Sequence, residues 1–280
     1  MPMNQQNTAT LEDIQSFPLE TGRIMDVNSN DARQFAKDEA AEKTMHGNLV
    51  YDMVEEEHGD ELLPDHEVYE AARRIDGERW FYRGAKRSFD IVFSAAILVL
   101  FCWLYAIIAI IIKVDDPRGP VIFKQERVGK NGDRFMMWKF RSMRVNAEAQ
   151  LDDLVMLNEK TGPVFKISRD PRITRAGRWL RKLSLDELPQ FVNVLGGKIS
   201  IVGPRPSLPR EVALYSERQK QRLLVKPGIT CYWQTRMDRD RITFDEWVDL
   251  DLLYIKQCGI WADIRQILKT VFVVLTAQGS

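Results

Sequence analysis

The longest uninterrupted run of apolar positions extends from Ile91 to Ile112. Its 22 residues include one clearly polar member, Ser94. A helix of that length rises about 33 Å, enough to cross the ~30 Å hydrocarbon core of a bilayer. Such a helix is apolar on every side, whereas a helix in a soluble core has a single apolar stripe. The run therefore predicts a membrane-inserted helix.

The flanks of this run have the chemistry of a membrane surface. Before it, Trp80–Arg87 mixes aromatic and cationic residues, as is common at headgroup depth. After it come Lys113, Arg118 and Lys124. Because neither flank is clearly richer in cations, the positive-inside rule does not favour a spanning orientation. Balanced flanks fit a re-entrant helix better, since both of its ends stay on one side.

Beyond the turn signal at Asp115–Pro120, the pattern predicts short strands and amphipathic helices. Two strands, Val121–Phe123 and Arg134–Arg141, are joined into a hairpin by the turn Gly129–Gly132. Helices are predicted over Asn146–Asn158, Thr174–Lys182, Glu187–Val194, Ser207–Val225, Phe244–Ile255 and Ile260–Leu275. The helix over Ser207–Val225 is basic and amphipathic, so its apolar face could rest on lipid or pack on the domain.

Charge divides the 280-residue chain in two. Residues 1–78 hold 19 acidic and 6 basic side chains, a net charge of −13, and residues 79–280 have a net charge of +13. We divide the chain into an acidic, largely disordered extension (1–78), a collar with the membrane helix (79–116) and a basic domain (117–280). Within the extension, the first 30 residues are predicted to be disordered, and short helices are predicted over Ala32–Lys43 and His66–Arg74. A basic domain on a membrane suits anionic headgroups and phosphorylated ligands, and the apolar helix argues against nucleic acid as the partner.

The cysteines and histidines exclude several kinds of chemistry. The three cysteines are widely spaced and form no CxxC pair, which favours a reducing compartment and gives no thiolate metal site. All three histidines precede the apolar run. A catalytic basic domain would therefore use no Ser-His-Asp triad, Cys-His dyad or histidine-bound zinc.

Two adjacent carboxylates, Asp186 and Glu187, lie in a cationic stretch of the sequence. Basic residues surround them at Arg169, Arg172, Arg175, Arg178, Arg181, Lys182, Lys198 and Arg205. Adjacent acids in such a frame suit two tasks, holding a divalent metal or attacking an electrophile as a carboxylate nucleophile. Arginines bind phosphate oxygens well, because the planar guanidinium matches them bidentately. The alternative is a surface helix whose charges merely pair.

Several short motifs occur in a fixed order along the chain. They are Lys86–Asp90, Lys139–Met143, Asp170–Thr174, Leu185–Gln190, Gly203–Pro206 and Lys226–Thr230. In this combination and order the chain, over about Tyr82–Leu275, resembles the bacterial sugar transferase family, the monotopic phosphoglycosyl transferases. The resemblance implies an enzyme that moves a sugar-1-phosphate from a UDP-sugar to undecaprenyl phosphate and releases UMP. That reaction starts the assembly of an exopolysaccharide, capsule, O-antigen or other glycoconjugate.

The resemblance also implies roles for individual residues. Asp186 is expected to attack phosphorus and form an aspartyl-phosphosugar, and Glu187 to help hold Mg²⁺ beside it. The substrate phosphates are expected to contact Arg181 and Arg205, with Arg141 and Lys139 as further candidates. The membrane helix is expected to begin at the motif that contains Lys86, Arg87 and Asp90.

The middle of the membrane helix departs from the family. Members usually have Ser-Pro there, and proline breaks a helix; this chain has Cys102 and Trp103 instead. We still expect both ends of the helix on the cytoplasmic side of the bacterial inner membrane, where the catalytic domain would face its lipid, with a homodimer as one arrangement. The predicted fold class is α+β, mainly helical: a re-entrant membrane helix, a small β-hairpin and amphipathic interfacial helices around a compact catalytic domain.

Two other functions stay open. Asp238 and Asp240 have the Asp-x-Asp spacing of a metal-binding glycosyltransferase, but no apolar strand precedes them. A non-catalytic membrane scaffold or regulator would not need the carboxylate pair. Which sugar is transferred is open, although the spacing of Gly162–Lys166 before Asp170 resembles members that use glucose or galactose.

Overall fold

The computed structural model describes residues 63–160, 162–167, 169–239 and 241–276. The predicted disorder of the first 30 residues and the predicted helix over Ala32–Lys43 lie outside these ranges. The described chain is α+β and mainly helical. Its α-helices are α1 (His66–Gly77), α2 (Trp80–Leu100), α3 (Cys102–Asp115), α4 (Arg175–Lys182), α5 (Gln190–Leu195), α6 (Pro209–Val212), α7 (Glu217–Lys220), α8 (Phe244–Gln257) and α9 (Ile260–Leu275). Its strands are β1 (Ile122–Val128), β2 (Arg134–Phe140), β3 (Ser200–Val202) and β4 (Gly228–Thr230).

The apolar run forms two helices instead of one. Helices α2 and α3 meet at Phe101 with a bend of 61°. Phe101 leaves the helical conformation with a ψ angle of 13°. Among the described residues, no single helix is long and apolar enough to cross a bilayer, whereas the bent pair meets that criterion of length and composition. The bend therefore forms without proline.

Packing against the rest of the domain explains the direction of α3. The Tyr105 hydroxyl donates a 2.7 Å hydrogen bond to the Leu188 carbonyl. Ile108 and Ile112, one turn apart on the same face, are buried against Phe140 and a neighbouring leucine of α4. A straight continuation of α2 would expose these side chains, so their burial stabilises the bend.

The first half of α2 is tied to the same domain by polar side chains. Asp90 is buried and accepts hydrogen bonds from the Ser200 hydroxyl at 3.1 Å and the Ile201 amide at 3.0 Å. Arg87 donates to the Val194 and Leu195 carbonyls at the end of α5. Lys86 pairs with Asp263 at 2.8 Å. Lys86 and Arg87, which belong to the segment predicted to lie at headgroup depth, thus make contacts within the protein.

The largest core cluster joins both ends of the described chain. Val68 and Ala72 of α1 pack against the buried face of α8, which includes Trp247, Val248 and Leu252. The short helix predicted over His66–Arg74 is therefore confirmed, and it extends to Gly77. Beneath this cluster, the guanidinium of Arg222 pairs with the carboxylate of Asp251, and both side chains are almost fully buried.

Two small sheets complete the fold. Strands β1 and β2 form the predicted antiparallel hairpin, with Ile122 opposite Phe140 and Val128 opposite Arg134. The turn between them needs left-handed backbone, which Asn131 and Gly132 supply with φ of 57° and 87°. Strands β3 and β4 pair in parallel, Ser200 with Gly228 and Val202 with Thr230. This second sheet was not among the predicted elements.

Two predicted helices are wrong. The segment Ser207–Val225 is divided into α6, α7 and a 3₁₀ turn at Gln221–Leu224. Tyr215, which belongs to the apolar face that could have rested on lipid, is buried, and its hydroxyl donates to Ser207 at 2.8 Å. Between Asn146 and Asn158 the only helical part is a 3₁₀ segment, Asp152–Leu157. In neither segment do the apolar residues form one long buried helical face, and Val155 and Leu157 are exposed.

Candidate active site

The carboxylate pair lies on a tight turn between α4 and α5. Helix α4 begins at the N-cap Thr174, whose hydroxyl accepts from the Gly177 amide. The chain then reverses at Ser184, which has a left-handed φ of 54°, and enters a 3₁₀ turn, Leu185–Glu187. This turn buries Asp186, which is 7 % exposed. Glu187 is more accessible, with 27 % of its side chain exposed.

Strand β2 presents a lysine to this pair. The Lys139 ammonium lies 3.0 Å from a Glu187 carboxylate oxygen. The Asn193 side chain fixes the relative position of β2 and α5, because it accepts from the Trp138 amide at 2.9 Å and donates to the Met136 carbonyl at 2.8 Å. It thus pairs with β2 in the way that a neighbouring strand would, and holds Lys139 opposite the turn.

Helix α4 brings Arg181 to the same place. The Arg181 Nε donates to the Ser142 hydroxyl at 3.0 Å, and the positive charge of Arg181 favours the ionised form of Asp186. The helix approaches closely because of Gly177, where an added Cβ would lie only 2.0 Å from the Ser142 carbonyl oxygen. The segment Lys139–Met143 therefore supplies the Lys139 ammonium and, through Ser142, positions the Arg181 guanidinium.

The second sheet places Arg205. Gly203, directly after β3, lies against Gly228, the first residue of β4, and a Cβ on Gly203 would lie 2.5 Å from the Lys226 carbonyl oxygen. The Gly203 amide donates to the Thr230 carbonyl at 3.0 Å. Two motifs that are far apart in sequence are joined in this way, and the loop that follows β3 holds Arg205 at the site.

A fourth cation, Arg127 on β1, supports this loop. Its side chain is 5 % exposed and donates to the Pro206 carbonyl at 3.0 Å and to Gln125 at 2.7 Å. Burial, followed by the neighbouring charge of Arg205, lowers the pKa of Arg127 to about 10. The group stays cationic at neutral pH. Sequence reasoning missed Arg127; the only signal was a cation within an otherwise regular strand.

These side chains surround one pocket. It is lined by Arg127, Met137, Lys139, Glu187, Gln190, Arg205, Pro206, Gly228, Ile229 and Gln234. Three cations and one carboxylate thus face a common space, and the pocket as a whole attracts anions.

The pKa values of the two carboxylates are shifted in opposite directions. Burial is the largest influence on Asp186 and, with the adjacent charge of Glu187, it raises the pKa of Asp186 despite Lys139 and Arg181. For Glu187, the cations Lys139, Arg205 and Arg127 outweigh burial and lower its pKa. Neighbouring groups whose pKa values are pushed apart are typical of catalytic sites. Glu187 is the more firmly ionised of the two.

The structure brings some predicted site residues together and leaves others apart. Asp186, Glu187, Arg181, Arg205 and Lys139 form one cluster, as the electrostatic couplings among them indicate. Arg141 does not line the pocket, because its guanidinium is paired with the Asp116 carboxylate at 2.7 Å. It fastens the end of α3 to β2.

The remaining predicted positions lie outside the pocket. Cys102 and Trp103 are exposed just after the bend. Asp238, from the Asp-x-Asp pattern, is a surface residue paired with Arg236 at 2.6 Å, and Asp240 is outside the described residues.

The two carboxylates suit a Mg²⁺ ion that is held partly by the protein and partly by substrate phosphates. Magnesium is commonly held by one or two carboxylates, with phosphates and water completing the shell. Asp186 and Glu187 supply that number. Among the described residues there is no cluster of three or more metal-ligating side chains, so a complete cage made by protein alone is not present there.

Fold and site together define a class of protein: an α+β domain with a bent pair of apolar helices and two adjacent carboxylates beside a cationic pocket. Residues 81–277 match the family model of the bacterial sugar transferases, and the chain belongs to that family.

Named relatives show what similar proteins do. The chain is 48 % identical over 196 residues to the galactosyl transferase CpsE of Streptococcus agalactiae, covering 70 % of this chain and 43 % of that protein. It is 38 % identical over 236 residues to the UDP-glucose:undecaprenyl-phosphate glucose-1-phosphate transferase of Escherichia coli, covering 80 % and 46 %. It is 36 % identical over 200 residues to the exopolysaccharide production protein ExoY of Rhizobium meliloti, covering 70 % and 88 %. The match thus spans less than half of the first two relatives.

Proposed function

We propose that this chain transfers a sugar-1-phosphate from a UDP-sugar to undecaprenyl phosphate at the cytoplasmic face of a bacterial inner membrane, releasing UMP. The observation that carries the proposal is a buried carboxylate, Asp186, next to Glu187, which lines a pocket with Lys139, Arg205 and Arg127. The names of relatives, which refer to galactose or glucose and to undecaprenyl phosphate, support the substrate class.

The proposed reaction has two steps. First, a carboxylate oxygen of Asp186 attacks the sugar-proximal phosphorus, the bond from that phosphorus to the bridging oxygen breaks, and UMP leaves with that oxygen. An aspartyl-phosphosugar remains on the protein. Second, a phosphate oxygen of undecaprenyl phosphate attacks the same phosphorus, and the bond to Asp186 breaks. The products are a lipid diphosphate-sugar and the original carboxylate.

The charged groups have separate roles in this scheme. Asp186 takes the role of nucleophile that the resemblance to the family implies. Lys139 and Arg181 favour its ionised form against the effect of burial, and covalent catalysis needs that form. Lys139, Arg205 and Arg127 neutralise the diphosphate oxygens, which would otherwise repel the nucleophile. Glu187, with its lowered pKa, and Asp186 would hold Mg²⁺, which supplies further neutralisation of phosphate charge when bound.

We propose further that α2 and α3 enter and leave the membrane on one side. Asp90 near the start of the apolar run and Ile112 at its end both contact the same domain. A straight helix over this run would separate those ends by about 33 Å. Between the two contact points, Val99, Leu100, Phe101 and Trp103 are exposed around the bend, as residues inserted in lipid would be.

The test of the activity is a panel of UDP-sugars radiolabelled in the sugar, each mixed with undecaprenyl phosphate, Mg²⁺ and the purified protein in detergent. Label should enter the lipid fraction for at least one donor, with stoichiometric release of UMP. Asp186→Asn should bind membranes normally and form no product. A wild-type protein that transfers no label from any donor, or an Asn variant that transfers normally, would contradict the proposal.

The test of the topology uses single cysteines near Asn48 and near Lys160 in a background without the native three. Neither site should react with an impermeant maleimide in intact cells, and both should react in opened cells. Labelling of the Asn48 site alone in intact cells would show a spanning helix.

A further inference from the structure

The side chain of Gln190 is buried without a partner. It is 3 % exposed and lines the pocket together with Glu187 and Arg205. Within the described part of the chain, no group hydrogen-bonds its amide. Its amide atoms are not among the fully enclosed side-chain atoms that lack a partner, such as Ser94 Oγ and Asp251 Oδ1, so a group in the pocket can reach them.

The other fully buried amides show that this fold does satisfy such groups. Asn193 uses both ends of its amide on β2, at 2.9 and 2.8 Å. Gln221 uses both ends on the Asp65 backbone, at 2.8 and 2.7 Å. Gln266 donates to the Cys231 carbonyl at 2.6 Å. Gln190 is the exception among the buried amides of the described residues, and it is the one that borders the pocket.

The position of Gln190 relates it to the reacting phosphorus. It follows Glu187 by three residues, and both side chains reach the same pocket. Of the other polar side chains there, Lys139, Arg127 and Arg205 only donate, and ionised Glu187 only accepts. A phosphate suits that set. Gln234 is a second neutral amide, but its oxygen already accepts from the Cys231 amide at 3.0 Å. The Gln190 amide has a donor and an acceptor at once, which suits a neutral group with both, such as a hydroxyl.

We infer that Gln190 hydrogen-bonds a hydroxyl of the sugar carried by the donor, and so contributes to the choice of sugar. The inference rests on the proposed function, because it assumes a UDP-sugar in this pocket. The sugar is attached to the phosphorus that Asp186 attacks, so its hydroxyls lie near the carboxylate turn and α5. The uracil ring has donor and acceptor groups too, but it is separated from that phosphorus by a phosphate and a ribose.

The experiment compares wild type with Gln190→Met, which keeps the length of the side chain and removes both polar ends. The KM for the preferred UDP-sugar should rise about 2- to 12-fold, the loss of one neutral hydrogen bond. Inhibition by UMP should be unchanged, since UMP has no transferred sugar. The thermal midpoint should not fall, because the amide has no partner in the protein. Gln190→Asn, which retains an amide but withdraws it, should raise the KM as well.

Monodeoxy donors identify the hydroxyl. For wild type, one donor that lacks a single hydroxyl should show a KM raised by about the same factor as the Met variant does with the complete donor. Gln190→Met should not distinguish that donor from the complete one. Three results would overturn the inference while wild type still transfers label. They are an unchanged KM in both Gln190→Met and Gln190→Asn, weaker inhibition by UMP in the Met variant, and a KM of the Met variant that rises for every monodeoxy donor by the same factor as the KM of wild type does. Absence of transfer by wild type with every donor would overturn the proposed function and the inference together.

Discussion

Replacing Lys139 with methionine removes one positive charge from the carboxylate pair without much change in side-chain volume. The Lys139 ammonium is 3.0 Å from Glu187, and the two side chains are only 20 % and 27 % exposed, so water screens the pair incompletely. A charge-assisted hydrogen bond in such a setting contributes about 1.5–3 kcal/mol, equivalent to about 10- to 150-fold in kcat/KM. We expect a loss of that order in Lys139→Met.

The substitution should also change the dependence on pH. Lys139 lowers the pKa of Asp186 and of Glu187. Without it both pKa values rise, and because Asp186 attacks only when ionised, a higher pH is needed for activity. The acidic limb of the kcat/KM profile should therefore move to higher pH.

The assay is UMP release measured across pH with saturating lipid acceptor, for wild type, Lys139→Met and Lys139→Arg. The arginine variant retains the charge, so its acidic limb should stay close to that of wild type. An active Met variant whose acidic limb coincides with that of wild type would refute the assignment of Lys139 as the group that keeps the carboxylates ionised.

Three further substitutions test the site and its support. Arg205→Ala should weaken binding of the UDP-sugar by about 1.5–3 kcal/mol with the fold retained; unchanged affinity and turnover would exclude Arg205 as a phosphate ligand. Asp251→Asn leaves its buried partner Arg222 uncompensated and should lower the free energy of unfolding by about 3–5 kcal/mol. Its control is Asp249→Asn, which should lower it by about 0–1 kcal/mol, because the Asp249 side chain is 55 % exposed in its ion pair. Equal losses of unfolding free energy in the two variants would contradict this. Gly203→Ala should cost about 1–3 kcal/mol by overpacking and reduce activity, while Gly196→Ala, with its nearest atom at an ordinary 3.5 Å, should do neither.

Elements with local signals were predictable from sequence. Helix α4 begins one residue after the predicted Thr174, which is its N-cap, and α9 matches its predicted bounds. The hairpin follows from its turn residues and alternating pattern. The parallel pair β3 and β4 was not predictable in this way, because each strand has three residues and its partner lies far away in sequence. The Gly203 and Lys226 motifs were visible as separate patterns, but only the fold shows that they touch.

The same distinction applies to the site. The adjacent acids and Arg205 were identified from residue type and order, since carboxylates and arginines are chemically distinctive. Arg127 and Gln190 were not predicted to line the pocket, because their places there depend on burial, which one strand or one helical turn does not reveal. Arg141 was assigned to phosphate, yet it is paired with Asp116 outside the pocket. Charge alone does not distinguish an arginine that binds substrate from one that holds two elements together.

The most direct test of the account is detection of the aspartyl-phosphosugar. The purified protein is mixed with Mg²⁺ and a UDP-sugar that is labelled in the sugar, without undecaprenyl phosphate, and quenched in acid. Label should remain on the protein in an amount up to one per chain, matched by a burst of UMP. Mass spectrometry should locate it on Asp186, and addition of undecaprenyl phosphate before the quench should move it to lipid. A wild-type protein that turns over but holds no label, holds it elsewhere than Asp186, or is labelled equally in Asp186→Asn would contradict the central claim.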